Sequence, residues 1–228
     1  METLHLVELK KMPIYRMLSL EEHLLEQPLK NYLLINYGTP EAIVLGKSNN
    51  RDELIVESPE VPLIRRFSGG GTVFVDESTL FVTWILSKEL EQARCVDTLF
   101  DWTISLLQQA HPHLELKRIE TDYVLKDRKI GGTAQYVKKD RILHHTSFLF
   151  DYSPEKMALL KAPTKAPLYR QNRPHSEFIT RLKDHFPSSE AFINPFLKTL
   201  ESSFTLEPTS ILELLEEAQK TKQTTYIF

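Results

Sequence analysis

The sequence predicts an α+β fold, in which a mixed central β-sheet carries flanking helices. Three observations predict this class. The first two thirds of the chain contain short apolar runs with β-branched and aromatic residues, separated by turn residues. Residues 96–110 carry large apolar side chains at the spacing of a well-buried helix. From Ser153 onward the pattern becomes mostly helical.

The individual elements follow in chain order. An opening strand is predicted near Leu4–Leu9, and SLEE at 19–22 has the spacing of a capping box that begins a helix ending near Gln27. The remaining elements are two strand pairs, 32–37 with 42–45 and 72–75 with 80–86, then strands 123–125, 130–137 and 142–150, and helices 154–161, 175–184, 188–200 and 209–220.

Size and composition are those of one globular domain. The chain has 228 residues, of which 41% are hydrophobic and 26% charged. We expect residues 1–228 to form a single domain whose part 153–228 is mostly helical. The net charge of -3 argues against a nucleic-acid partner, since dedicated nucleic-acid-binding proteins are strongly basic. No run approaches the roughly 18 apolar residues of a membrane span, and no signal-peptide pattern opens the chain. A cytoplasmic location without a membrane partner is expected.

The single cysteine and the histidine pairs predict no special chemistry. Cys95 excludes an internal disulfide and lies at the predicted start of helix 96–110, where a plain small apolar residue is favoured over a nucleophile. His144 and His145 are neighbours in a predicted strand and face opposite sides of it, so they cannot easily bind one ion. No metal site is predicted.

Glycine is scarce and concentrated in two places. The chain has 7 glycines, where average usage predicts about 16. Five of them form two runs, Gly69–Gly71 and Gly131–Gly132. Bare backbone at two sites indicates unusual dihedral angles or close approach of a ligand, with a pair of ordinary turns as the alternative.

The first glycine run lies in the segment RRFSGGGT, residues 65–72. Successive glycines before a strand can present several backbone N–H groups to one anion, and arginine adds a forked cationic donor. Ser68 and Thr72 add hydroxyls at the edges of the same loop. The combination predicts a carboxylate or phosphate site. Because neighbouring strand residues face opposite sides, only one of Arg65 and Arg66 is expected to reach the ligand.

The second run lies in KDRKIGGTAQ, residues 126–135. In a strand, Lys129 and Gly131 would share a face, so the ammonium could reach over bare backbone toward the same ligand. A solvated charged turn is the alternative. The segment GKS at 46–48 imitates the end of a P-loop, but Glu41 stands where a P-loop has its first glycine, so that interpretation fails.

Four segments together resemble the lipoate–protein ligase A family. RRFSGGGTVFVD at 65–76 resembles the family's Arg-Arg-x-Ser-Gly-Gly-Gly-Ala-Val-Tyr-His-Asp, and LGKSNN at 45–50 is similar to its Gly-Arg-x-Gln-Asn. KIGGTA at 129–134 resembles Lys-(Ile/Val)-Ser-Gly-Ser-Ala, and HHTS at 144–147 resembles His-His-Gly-Thr. The segments occur in the family's order over about residues 40–150, with a weaker echo at 169–173.

This resemblance implies the fold of biotin ligases and class II aminoacyl-tRNA synthetase cores, and a reaction in two steps. Lipoate and MgATP would give lipoyl-AMP, and a lysine of a 2-oxoacid dehydrogenase E2 lipoyl domain, or of the glycine-cleavage H protein, would accept the lipoyl group. ATP, Mg²⁺ and lipoate are the implied cofactors and substrates. Lys129 is implied as the catalytic residue, which stabilises charge in both steps. The implied substrate- and adenylate-binding residues are Arg66, Ser68, Gly69, Gly70, Gly71, Thr72, Asp122, Gly131, Gly132, Thr133, Ala134, His145 and Ser147.

Departures from the family leave alternatives open. The departing residues, which replace alanine, histidine, a polar residue, serine and glycine, are Thr72, Val75, Phe81, Gly131 and Thr146. The family's small C-terminal accessory domain is also expected to be absent from these 228 residues. A lipoyl-AMP transferase that needs a separate accessory subunit, and a non-catalytic lipoate- or adenylate-binding protein, are therefore alternatives. An octanoyltransferase with a cysteine thioester is disfavoured because no cysteine follows the lysine motif. A biotin ligase is disfavoured because its Gly-Arg-Gly-Arg pattern is missing.

Overall fold

The computed structural model of the protein describes residues 1–27, 30–56, 60–161, 167–210 and 223–227. Its strands form two β-sheets, one of eight strands and one of four. The strands are β1 (Glu2–Lys10), β2 (Asn31–Tyr37), β3 (Ala42–Leu45), β4 (Leu63–Arg65), β5 (Val73–Val75), β6 (Thr79–Ser87), β7 (Leu116–Ile119), β8 (Asp122–Leu125), β9 (Arg128–Val137), β10 (Arg141–Leu149), β11 (Phe204–Pro208) and β12 (Thr225–Ile227). The helices are α1 (Ile14–Glu26), α2 (Arg51–Leu54), α3 (Val96–Ala110), α4 (Pro154–Met157), α5 (His175–Phe178) and α6 (Ser189–Leu200). The predicted α+β class with a mixed sheet is confirmed.

The large sheet has the strand order β11-β1-β2-β6-β10-β9-β8-β7. β1 runs parallel to β2 and β11, and the other neighbours are antiparallel. All residues of β6 except the last are buried, because both faces of this central strand are covered. One face packs on α3 and α6 through Trp84, whose ring centroid lies 5.2 Å from that of Trp102 and 6.0 Å from that of Phe196. The opposite face, which packs on α1, carries the cavity described below.

The small sheet has the order β12-β4-β3-β5 and corrects the predicted strand pairs. β2 and β3 lie in different sheets, and so do β5 and β6, so neither predicted pair forms. The two connecting links bind each other instead: the Gly38 amide donates to the Thr79 carbonyl at 3.0 Å, and the Thr39 amide to that of Asp76 at 3.1 Å. Gly38 has a φ of +84°, and a Cβ there would lie 2.5 Å from the Glu77 carbonyl oxygen. The links are therefore crossings between sheets and not hairpin turns.

Helix α1 begins at Ile14, so the predicted capping box at Ser19 is wrong. The first turn is capped from another part of the chain, because the Ile14 amide donates to Thr39 Oγ1 at 2.9 Å. Ser19 is buried within the helix and donates its hydroxyl to the Tyr15 carbonyl. As a result Glu21 and Glu22 point into the protein, with 0% and 5% of their surface exposed.

The C-terminal part is less helical than predicted. Helix 188–200 is confirmed as α6, and helix 96–110 as α3. The predicted helices 154–161 and 175–184 shorten to α4 and α5, since the residues that follow each of them pair with distant backbone instead. Ile55 forms a bridge with Leu160, and Lys129 with Ile179. Residues 204–208 and 225–227 are strands, and the predicted helix 209–220 lies almost wholly outside the described residues.

None of the helices in the described ranges is long and apolar enough to cross a membrane.

Burial of His144 in the large sheet makes the stability of the fold depend on pH. Its Nε2 lies 3.1 Å from the Tyr123 hydroxyl, and the side chain is fully buried. Burial, with smaller effects of His145 and Arg118, lowers the pKa of His144 to about 3. The unfolded chain takes up a proton near pH 6.5, whereas the folded chain does not until about pH 3. This histidine therefore reduces stability progressively as the pH falls from 6.5 toward 3.

We expect His144→Gln to reduce this acid sensitivity. Glutamine keeps a polar partner for Tyr123 and cannot take up a proton, so the slope of unfolding free energy against pH between 6.5 and 4 should fall by roughly 1 kcal/mol per pH unit. Urea titrations at a series of pH values measure the slope. The exposed His113, changed to glutamine, is the matched control and should keep the wild-type slope. Identical slopes for all three proteins would contradict the prediction.

Candidate active site

A cavity of about 600 Å³ is lined by residues of both sheets, α1 and the segment 167–179. One set of lining residues is apolar and packs in a single cluster: Ile14, Leu18, Val44, Val75 and Phe81. Another set is polar or bare backbone, and most of it belongs to the segments singled out in the sequence: Arg66, Gly70, Gly71, Thr72, Asp122, Lys129, Gly132, Thr133, Ala134, His145 and Ser147. The predicted residues Ser68, Gly69 and Gly131 do not line the cavity.

The glycine loop is folded around the side chain of Arg66. Arg66 is 5% exposed. Its guanidinium donates from Nε and Nη2 to the Gly69 carbonyl, at 3.0 and 2.7 Å, and from Nη2 to the Gly71 carbonyl at 2.7 Å. Gly70 adopts a φ of +99° between these two residues. Burial lowers the pKa of Arg66 to about 10, against the opposing effect of Glu21, so the side chain stays cationic at neutral pH. Arg66 thus shapes the loop from inside and also lines the cavity.

The segment after β3 supports the same loop. Asn49 donates its amide group to the Gly70 carbonyl at 3.1 Å and to Thr72 Oγ1 at 3.0 Å. Arg65 donates to the carbonyls of Gly46, Lys47 and Asn49. As the alternation of strand side chains predicts, Arg66 lines the cavity and Arg65 does not. The two sequence segments that resemble one family therefore form one structural unit.

Lys129 enters the cavity beside Gly132, and the predicted pairing with Gly131 is wrong. The register of β8 against β9 shifts by one residue at Ile130, since Tyr123 pairs with Gly131 but Val124 with Lys129. This bulge moves Gly131 to the opposite face, where a Cβ would lie 2.8 Å from the Phe148 ring. A Cβ on Gly132 would instead lie 2.9 Å from Lys129 Nζ.

The Lys129 ammonium is held by a buried carboxylate. Its Nζ lies 2.8 Å from Asp122 Oδ1, and Asp122 is 4% exposed. The other oxygen of Asp122 accepts a hydrogen bond from the Tyr169 hydroxyl at 2.7 Å. Burial and the Asp122 charge raise the pKa of Tyr169, which stays a donor. Both oxygens of this carboxylate are thus occupied.

His145 contacts two buried residues, Glu21 and Thr83, that the sequence does not assign to the site. Its Nδ1 lies 2.7 Å from Glu21 Oε1 and 3.1 Å from Thr83 Oγ1, and Thr83 donates to the same carboxylate oxygen at 2.7 Å. The sequence around Glu21 predicts only a helix cap, and no local pattern connects this residue to His145 of β10, 124 residues along the chain. Thr83 lies in a run that predicts only a strand.

The sequence also does not assign the segment 167–179 to the site, apart from the weak resemblance to the family at 169–173. It contributes Arg170, His175 and Phe178 to the cavity wall. Arg170 lies over the Phe178 ring, 5.1 Å from its centroid, and burial lowers the pKa of Arg170. The sequence predicts a helix at 175–184, but no local pattern places His175 at the cavity, because the position of this helix depends on the backbone bridge between Ile179 and Lys129 of β9.

Cys95 lies outside the cavity. It is exposed at the N-terminal end of α3, where its thiol and the Thr98 hydroxyl are 3.5 Å apart. The interpretation as a plain residue and not a nucleophile stays a prediction, and the position of Cys95 outside the cavity agrees with it. Among the described residues no group of three or more His, Cys, Asp or Glu could hold a metal ion.

The fold therefore combines two mixed sheets with a cavity that has an apolar part beside cationic side chains and bare glycine backbone. Residues 13–204 match the family described as lipoyl protein ligase A/B catalytic domain, and the chain belongs to this family.

Two curated relatives are similar to this chain in sequence. The inactive lipoate–protein ligase 2 of Plasmodium falciparum is 23% identical over 266 residues, which cover 87% of this chain and 69% of the relative. The lipoate-protein ligase LplJ of Bacillus subtilis is 32% identical over 140 residues, which cover 59% of this chain and 42% of the relative. The alignments with bacterial relatives span less than half of those proteins.

Three solved structures share the fold. A lipoate-protein ligase A bound with ATP has a TM-score of 0.78 at 18% identity, covering 96% of this chain and 92% of that chain. A putative lipoate protein ligase of T. acidophilum with bound lipoic acid has a TM-score of 0.77 at 16% identity, covering 96% and 93%. A Thermoplasma acidophilum structure described as a bi-partite lipoate protein ligase and its E2 lipoyl domain has a TM-score of 0.76 at 18% identity, covering 96% and 90%.

The glycine loop allows a matched pair of substitutions. In Gly70→Ala the new Cβ would lie 2.7 Å from Arg66 Nη2 on backbone that L-residues rarely adopt, whereas a Cβ on Gly69 meets nothing within 4 Å. We expect Gly70→Ala to lower the free energy of unfolding by about 1–3 kcal/mol and Gly69→Ala to change it by less than about 0.5 kcal/mol. Urea denaturation compares them. Equal effects of the two substitutions would contradict a loop built around Arg66.

Proposed function

We propose that the protein is a lipoate–protein ligase, which activates lipoate with ATP and transfers the lipoyl group to a lysine of a lipoyl domain. One observation carries this proposal: a single cavity joins an apolar pocket to the buried Arg66 cation, the Lys129 ammonium and the bare glycine backbone. The apolar pocket suits the aliphatic tail and ring of lipoate. The cations and amides suit its carboxylate and the α-phosphate of ATP.

The first step brings two anions together. A lipoate carboxylate oxygen attacks the α-phosphorus of ATP, the bond to the bridging oxygen of the β-phosphate breaks, and pyrophosphate leaves. Arg66 and Lys129 lower the repulsion between the reactants and stabilise the charge that builds on the α-phosphoryl oxygens. Gly70 and Gly71 let the backbone approach the ligand, and Thr72 adds a hydroxyl.

Asp122 sets the position of Lys129 before the ligand arrives. The ammonium has three donors, of which one points to Asp122 Oδ1 at 2.8 Å, so two remain for phosphate and acyl oxygens. Tyr169 keeps the second oxygen of Asp122 occupied, which prevents that carboxylate from facing the ligand as a free anion. The remaining predicted residues, Gly132, Thr133, Ala134 and Ser147, line the same wall.

Mg²⁺ is expected to arrive with the phosphates of ATP. The residues in the described ranges offer no cluster that would hold a metal ion by themselves, and Asp122 is already occupied. They do not fit a metal site formed by protein ligands alone.

The departures from the family pattern divide into three groups. Val75 and Phe81 are part of the apolar wall, so they reshape the tail pocket. Thr72 lines the cavity at the glycine loop, where its hydroxyl accepts from Asn49. Gly131 and Thr146 do not line the cavity.

A second candidate is transfer of lipoyl from lipoyl-AMP only, with activation supplied by another protein. One observation favours it: a structure with the same fold is described as a bi-partite lipoate protein ligase. A third candidate, a lipoate- or adenylate-binding protein without catalysis, is favoured by the relative whose name calls it inactive. The E2 lipoyl domain and the glycine-cleavage H protein are the acceptors to test.

The test is mass spectrometry of an apo lipoyl domain after incubation with the protein, ATP, Mg²⁺ and lipoate. Addition of one lipoyl group is expected, and Lys129→Ala should slow it by about 100-fold or more, because a charge-stabilising donor is lost. Lys129→Ala should also keep its far-ultraviolet circular dichroism spectrum. Modification only with pre-made lipoyl-AMP would indicate the second candidate, and no modification under either condition would reject both enzyme candidates and favour the third.

Cys95→Ser is the matched control for a thioester route. Since Cys95 is exposed and outside the cavity, this variant should modify the acceptor at the wild-type rate. Loss of modification in a folded Cys95→Ser protein would instead indicate a covalent acyl-cysteine intermediate.

A further inference from the structure

His175 is a cavity-lining histidine whose ring is not bound by the rest of the site. It is the first residue of α5 and is half-buried in the wall of the cavity. No hydrogen bond to its imidazole is formed by the described residues. The segment is fixed to the strand that carries Lys129, because the Thr180 amide donates to the Lys129 carbonyl at 2.9 Å. The ring thus shares the cavity with Lys129, and neither of its nitrogens has a hydrogen-bond partner among the described residues.

The transfer step requires a group that takes up a proton. The lysine of the acceptor protein is an ammonium at neutral pH, since its ordinary pKa is about 10.4, and only the free amine can attack a carbonyl carbon. Four side chains in the described wall of the cavity could accept a proton through oxygen or imidazole nitrogen: Glu120, Asp122, His145 and His175.

Three of these four are committed or badly placed. Both oxygens of Asp122 are occupied by Lys129 and Tyr169. His145 is 8% exposed and held at Nδ1 by the buried Glu21, so it lies too deep for a side chain that enters from solvent. Glu120 is exposed, and its Oε1 accepts from the Leu168 amide at 2.8 Å. His175 remains.

The charges around His175 favour the neutral ring. Lys129 on β9 and Arg170 on the preceding turn are both cationic, and together with burial they lower the pKa of His175. Arg128, also on β9, donates to the Thr180 hydroxyl at 2.8 Å. The acidic residue of α5, Glu177, is exposed to solvent. Asp122 faces Lys129 and is neutralised by it. A neutral imidazole with a free lone pair is the form that a base requires at pH 7.

We propose that His175 is the general base of the transfer half-reaction. This inference rests on the proposed function, and concerns only its second step. The lysine nitrogen attacks the carbonyl carbon of the acyl adenylate, and the bond from that carbon to the phosphate oxygen breaks. AMP leaves with the electron pair of that bond. The proton lost by the attacking nitrogen passes to an imidazole nitrogen of His175 and then to solvent.

The experiment measures transfer alone, from pre-made lipoyl-AMP to an apo lipoyl domain, over pH 5 to 9. For the wild type, the rate at saturating lipoyl-AMP should rise with pH and level off, with a midpoint below 6.5, because the base is neutral above its lowered pKa. His175→Gln should be slower by about 100-fold at pH 7 and should lose this titration. The dissociation constant of lipoyl-AMP, from calorimetry, should change by less than about threefold.

Two further variants separate a base from a structural residue. His175→Ala should regain rate when imidazole is added, in proportion to the neutral form of imidazole. His185→Gln, at an exposed histidine outside the cavity, should match the wild type in rate and pH profile. The inference is overturned if His175→Gln keeps the wild-type rate and pH profile. It is also overturned if the loss of rate is a loss of lipoyl-AMP binding that imidazole does not restore. Absence of transfer by the wild type itself would reject the proposed function, and with it this step.

Discussion

The buried guanidinium of Arg66 is the interaction on which the geometry of the site depends. A cation that is 5% exposed is costly to bury unless its donors are satisfied, and here three hydrogen bonds go to the carbonyls of the glycine loop. The loop must therefore curl around the side chain, which requires the positive φ of Gly70. Because the carbonyls turn inward toward Arg66, the loop can present backbone N–H groups elsewhere. The same contact that folds the loop also gives the cavity its positive charge.

Two buried carboxylates complement the cations. Asp122 holds Lys129 on one side of the cavity, and Glu21 holds His145 on the other and acts on the Arg66 charge. Each acid is buried against a partner that lines the cavity, so each fixes the direction of a functional group before any ligand binds. Such pre-organisation reduces the rearrangement needed when an anionic reactant arrives. This suits the proposed function, in which two negatively charged reactants must lie side by side in the cavity.

The two-sheet arrangement decides what surrounds the reactive groups. The links at 38–41 and 76–78 cross from one sheet to the other and bind each other, so the small sheet is held over one face of the large sheet. Val44 and Val75 of the small sheet then meet Phe81 of the large sheet to form an apolar pocket. The apolar wall and Lys129 belong to different strands, so under the proposed function the pocket for the acyl tail and the charge-stabilising group lie on separate elements.

The sequence by itself determined the fold class, most strand positions, helices α3 and α6, and the two glycine-containing segments at 65–72 and 129–134 that contribute residues to the cavity. These are local features: apolar period, glycine runs and basic residues need no knowledge of distant contacts. Only the tertiary structure decided the pairing of strands, the start of α1 at Ile14, the β9 bulge that replaces Gly131 by Gly132 beside Lys129, and the positions of Glu21 and His175. The physical reason is the same in each case: a backbone or side-chain hydrogen bond from a remote segment outweighs the local preference. Thr39, in the segment between β2 and β3, caps α1, and the bridge between Ile179 and Lys129 ends α5. The buried Glu21 contacts the cavity-lining His145, which lies 124 residues further along the chain.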